Sequence, residues 1–212
     1  ARDGTKTVFF GDNGHGMNPD ELFAATTYGA SQKAQKSLSK FGLGLKTAST
    51  SICKRVSLIS RRAEGSELRK CFWDLDVVEK KNEWLTGEAA ASAAEKKRFK
   101  ELCGNHGTLV CWENCDRLLT KTYKDPGGQP EQRAIQTLTD RLMTHLSLVY
   151  QRFLDKNDTR ENAVEISVNG ILLAPWDPFF TEKSEQHLPA DSQKMEIELP
   201  DGTVKEASIK AY

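Results

Sequence analysis

The run FFGDNGHGMNPDEL, residues 9–22, constrains this chain more than any other, because an apolar stretch passes through three glycines into a marked helix start. The residues TKTVFF ahead of Gly11 are rich in β-formers and read as a short strand. Behind the glycines, Asn18 suits an N-cap, Pro19 suits the first helical position, and Asp20 and Glu21 favour the positive end of a helix. A strand thus delivers one acid, Asp12, to a turn, and the turn passes the chain to a helix.

A second cluster follows in FGLGLKTASTSI, residues 41–52, a glycine-rich turn leading into a second helix. The segment GASQKAQKSLSK between the clusters is polar, small and basic, and reads as a mobile loop. Taken alone, Asp12-Asn13-Gly14 is ordinary turn chemistry, and a short Gly-x-Gly run equally suits a close-packed helix start. Together they point to a nucleotide. At the second helix, free backbone N–H groups and the positive helix end make an anion site, and Gly42 and Gly44 let a phosphate approach. Lys46 then reads either as a surface lysine or as a phosphate contact. A carboxylate only accepts hydrogen bonds, so Asp12 suits the exocyclic amine of adenine and repels the oxygen that guanine carries there. On this reading Asp12 selects ATP over GTP.

Beyond the clusters, KRVSLISRR and LRKCFWDLDVV read as strands, GEAAASAAEKKRFKEL as an exposed inserted helix, and GTLVCWEN as a core strand. A long helix over about 131–154 carries Ile135, Leu138, Leu142, Leu146, Val149 and Phe153 at steps of three or four, which predicts one buried face. AVEISVNGILLAPW and MEIELPDGTVKEASI read as hairpins with Asn-Gly and Asp-Gly turns, separated by a polar linker over 181–192. With 30 basic and 30 acidic residues, no net field draws the chain to nucleic acid or an anionic membrane. The five cysteines lack CxxC spacing and read as buried thiols, with Cys111 and Cys115 packing rather than pairing on a metal. No signal peptide and no membrane-length apolar run stand out, so the expected location is cytoplasmic, or nuclear in a eukaryote.

These boxes resemble the GHKL, or Bergerat-fold, ATPase superfamily, which includes gyrase B, the ninety-kilodalton heat-shock chaperone, sensor histidine kinases and MutL. DNGHGM is similar to its adenine box and FGLGLKTAS to its phosphate box. Gly107-Thr108 is similar to its Gly-Thr pair, whose threonine supports the adenine contact. Tyr28-Gly29-Ala30-Ser31-Gln32-Lys33 resembles the lid entry of the MORC-like branch. The resemblance implies an α+β two-layer sandwich, a mixed β-sheet covered by helices on one face. It assigns ATP binding to Asp12, Gly14, Gly16, Met17, Ser31, Lys33, Phe41, Gly42, Leu43, Gly44, Leu45, Lys46 and Thr108. His15 is given no role. A first domain is expected over 1–180, and a truncated second, transducer-like domain over 186–212.

The family's general-base glutamate and Mg²⁺-binding asparagine lie on a helix before the adenine box, and neither residue type stands in ARDGTKTVFFG. Both are expected upstream of Ala1, so this chain is expected to be a fragment that hydrolyses ATP poorly. In the intact protein, the resemblance implies Mg²⁺-dependent hydrolysis that closes the lid and drives homodimerisation. It also suggests a role in DNA or chromatin transactions or bacterial defence, with a DNA or protein partner. Two other readings stay open: a nucleotide-gated interaction module without useful hydrolysis, and the catalytic domain of a sensor histidine kinase.

Overall fold

A computed structural model of the chain describes residues 5–27, 44–158, 163–178, 180 and 194–208. The chain divides into two units, Ala1–Gln132 and Arg133–Tyr212.

The first unit is built on a five-stranded sheet of β1 (Val8–Asp12), β2 (Arg55–Arg61), β3 (Arg69–Asp74), β4 (Gly87–Glu88) and β5 (Gly107–Glu113), in the order β1-β5-β2-β3-β4. β5 enters between β1 and β2 and runs antiparallel to both, placing Asp12 opposite Thr108 and Thr108 opposite Ser60. Helix α1 (Pro19–Thr26) starts as its sequence predicts. Asn18 Oδ1 accepts from the Glu21 amide at 2.8 Å while Glu21 Oε2 accepts from the Asn18 amide at 2.9 Å, a reciprocal cap with Pro19 in the first turn.

Strand alternation gives the sheet two apolar faces. On one, Val56, Leu58, Cys71 and Trp73 pack with Leu22 of α1, and Leu45 and Ile52 of α2 (Gly44–Ile52) pack against the same cluster. On the other, Ile59, Leu109 and Cys111 pack with Phe99 and Cys103 of α4 (Ala93–Cys103). Full burial of a side chain the size of Leu22, Leu58 or Ile59 contributes about 1.5–3 kcal/mol, so each face carries its own substantial share of the core. Cys111 and Cys115 fall into these two separate clusters, and all five cysteines are free and buried.

The α+β class expected from the sequence holds, with three differences of detail. Every pairing in the sheet is antiparallel rather than mixed, because β2 and β3 form a hairpin and β5 inserts between β1 and β2. Helices also cover both faces: the Ala- and Lys-rich insertion, expected to be exposed, lays Phe99 and Cys103 onto the sheet one helical turn apart. Finally, the strand expected through Val78 ends at Asp74. The Asp74 side chain accepts from the Asp76 amide at 3.0 Å and caps α3 (Leu75–Lys81).

α5 (Gln129–Val149) spans the division between the units and is followed by α6 (Gln151–Leu154). The buried face predicted for this helix is not formed among the described residues, where Leu138, Leu142 and Val149 stand exposed. In the second unit both predicted hairpins are present. β6 (Ser167–Val168) and β7 (Ile171–Leu172) turn through Asn169-Gly170 with both φ angles positive, and β8 (Lys194–Glu198) pairs with β9 (Val204–Ser208) across Asp201-Gly202. The predicted linker over 181–192 lies, with residue 193, outside the described residues. No described helix is long and apolar enough to cross a membrane.

Candidate functional site

Three cross-strand neighbours, Asp12, Thr108 and Ser60, form a row over the ends of β1, β5 and β2. Directly opposed residues on antiparallel strands share a face, so all three side chains lie on the α1 and α2 side. At its β2 end is Ser60, fully buried, whose hydroxyl donates to the Gly107 carbonyl at 2.9 Å and accepts from the Met17 amide at 2.8 Å. Its contact with Thr108 Oγ1 is 3.0 Å. A hydroxyl has one proton, and Ser60 gives it to Gly107, so Thr108 must be the donor in that pair. Thr108 then turns its lone pairs away from Ser60 as acceptors.

Asp12 stands exposed at the strand end, with Oδ1 accepting from the Gly14 amide at 2.9 Å. That bond holds the carboxylate in a tight Asx turn and leaves Oδ2 available as an acceptor. Asp12 and Thr108 therefore present acceptors side by side, a surface suited to an amine and hostile to a carbonyl.

The loop carrying Asp12 is fixed from behind. Gly16 has φ +65°, and a Cβ there would collide with the Arg61 carbonyl. Gly107 has φ +126°, and its Cβ would collide with the Asp12 carbonyl. Only glycine combines these backbone angles with such close approach. On the outer side, His106 Nδ1 lies 2.8 Å from the Gly14 carbonyl. Beneath the row, on the α4 face, Cys103 Sγ donates to the Thr108 carbonyl at 3.3 Å, and burial together with the nearby Asp12 charge pushes the thiol up to about 11. It is held as a neutral packing group.

Of the second glycine cluster, Phe41, Gly42 and Leu43 lie outside the described residues, as do Ser31 and Lys33 of the proposed lid. Gly44, Leu45 and Lys46 form the first turn of α2. Gly44 is exposed, with nothing among the described residues within 4 Å of where a Cβ would stand. Leu45 and Met17 both pack against the cluster under α1 and α2, tying α2 and the Asp12 loop to one core. Lys46 is only 3% exposed, which argues against the surface-lysine reading. Hydroxyls of Thr47, Ser49 and Thr50 bond back to carbonyls three or four residues earlier, which satisfies a Ser- and Thr-rich helix locally.

Sequence reasoning missed Ser60, His106 and the wall formed by the Arg61 carbonyl. The only signal for Ser60 was a hydroxyl on the same strand face as Val56 and Leu58 in the run VSLIS. Among the described residues, no group of three or more His, Cys, Asp or Glu side chains is arranged to hold a metal ion.

Residues 1–108, half of the chain, match the sequence model of the family described as histidine kinase-, DNA gyrase B-, and HSP90-like ATPase. No curated protein gives a significant match to the chain. The matched span takes in both glycine clusters and ends on Thr108, and the antiparallel sheet with its helices is the α+β arrangement of the Bergerat fold. The chain belongs to the histidine kinase-, DNA gyrase B-, and HSP90-like ATPase family, whose domains bind ATP.

Proposed function

We propose that Asp12 grips the amino edge of adenine, with Thr108 beside it as a second acceptor, and that the N-terminal turn of α2 receives the triphosphate. The observation that carries this reading is the row Asp12-Thr108-Ser60, in which Ser60 uses its single proton on Gly107 and so turns Thr108 into an outward acceptor. An adenine amine has two protons to give to such a pair, whereas guanine offers an oxygen at the same place. Gly14, Gly16 and Met17 shape the loop that holds Asp12. Gly44 leaves the approach to the helix tip open, and Leu45 anchors that tip to the core. Lys46 adds positive charge in the same turn. Phe41, Gly42, Leu43, Ser31 and Lys33 belong to the same proposed site on the strength of their motifs.

In the intact protein, hydrolysis of the bound ATP closes the segment over 28–40 and drives homodimerisation, as the MORC-like and MutL-like resemblance implies. Mg²⁺ would neutralise charge on the transferring phosphoryl group. DNA or chromatin transactions, or bacterial defence, are the settings that resemblance favours. Calorimetric titration of the chain with ATP and with GTP tests the purine assignment. Saturable ATP binding with GTP weaker by roughly tenfold or more is expected, since an acceptor covered by the base and left without a donor costs about 1–3 kcal/mol. Equal affinity for the two nucleotides would remove Asp12 and Thr108 from base recognition.

A further inference from the structure

On the sheet face opposite Asp12, a groove of about 660 Å³ runs between α4, the start of β3 and the segment after β4. Its floor is Phe99, almost fully buried, and its lining carries five cations: Arg61, Arg69, Lys70, Lys96 and Lys100. Two of them are already partnered. Lys70 Nζ lies 2.6 Å from Glu95 Oε1, and Arg69 pairs with Glu67 at 2.7 Å. Arg61, Lys96 and Lys100 make no ion pair among the described residues. Arg61 lies over the Phe99 ring at 5.8 Å, and its Nε is buried with no hydrogen-bond partner among the described residues. An orphaned guanidinium nitrogen is costly unless something supplies an acceptor. Lys96 and Lys100 stand one turn apart on α4, so their ammonium groups flank the same opening.

We infer that this groove is a second ligand site, which takes a small molecule bearing a phosphate or diphosphate group. Arg61 offers the planar fork that suits phosphate oxygens, and the two lysines add point charges at the rim. The volume falls within the range of small-molecule pockets and exceeds the size of a lone phosphate. Glu67 and Glu88 also line the groove. They interrupt the positive charge and disfavour a continuous polyanion such as a nucleic-acid strand. The site is independent of the proposed nucleotide pocket, although the two share β2: the Arg61 carbonyl backs Gly16 while its side chain enters the groove on the other face.

Calorimetric titration of the full chain with inorganic pyrophosphate tests the inference. Saturable binding is expected, weakened at least roughly tenfold in Lys96→Glu/Lys100→Glu. Both lysines are exposed, so the double variant keeps its fold, which circular dichroism checks. Arg61→Met provides a second, independent loss of binding. The inference is overturned if pyrophosphate fails to bind, or if the double variant binds it as well as the wild type. It is equally overturned if a single-stranded oligodeoxynucleotide or an oligoglutamate peptide binds the groove more tightly than pyrophosphate. Failure of ATP binding alone would leave this result untouched, so the two sites are judged separately.

Discussion

Gly16 and Gly107 stand where neighbouring carbonyl oxygens occupy the space a Cβ would need, whereas Gly44 has nothing within 4 Å of that position among the described residues. The first two are glycines for the sake of the fold: they let the Asp12 loop press against the ends of β2 and β5 with φ angles that other residues avoid. Gly44 has no such internal reason. A glycine with open space at the exposed start of a helix makes sense if something outside the chain comes close to it. One end of the proposed pocket is thus held by close backbone contacts, whereas at the other no described atom crowds the first residue of α2.

The largest effect that would break this comparison belongs to Gly107→Ala. A methyl group driven into the Asp12 carbonyl, at a φ of +126°, is expected to lower stability by about 3 kcal/mol or more in urea denaturation. Ser60→Ala comes next. It strips the acceptor from the Met17 amide and from the Thr108 hydroxyl, for an expected loss of about 1–3 kcal/mol by the same measurement. Gly44→Ala should change stability least, within about 1 kcal/mol of wild type, because alanine favours the helix and meets no neighbour among the described residues. Its affinity for ATP should nevertheless fall roughly tenfold, since the new methyl group stands where a phosphate is proposed to approach. Should Gly44→Ala unfold the protein as Gly107→Ala does, or bind ATP as the wild type does, the distinction between the two clusters would disappear.

What the sequence made legible follows from the range of the interactions involved. The start of α1 could be read because Asn18, Pro19 and Glu21 satisfy one another within four residues. The Asn169-Gly170 and Asp201-Gly202 turns were readable for the same reason. Asp74 was harder, since WDLDV alternates like a strand while the Asp74 side chain ends that strand by capping α3. The packing of α4 on the second sheet face escaped because only Phe99 and Cys103 mark its buried side amid Lys, Ala and Glu. Ser60 was out of reach, since its role depends on a strand register with Thr108, 48 residues away. Asp12 lay between these cases: its turn was local, and its chemistry became readable only beside a second motif.

The most direct test is a calorimetric titration of Asp12→Asn with ATP, alongside its unfolding midpoint. Asparagine keeps an oxygen for the Gly14 amide, so the turn and the midpoint should survive, while its amide nitrogen meets the adenine amine donor to donor. Binding weakened roughly tenfold or more at an unchanged midpoint is the predicted result. An affinity equal to that of the wild type would contradict the account at its centre.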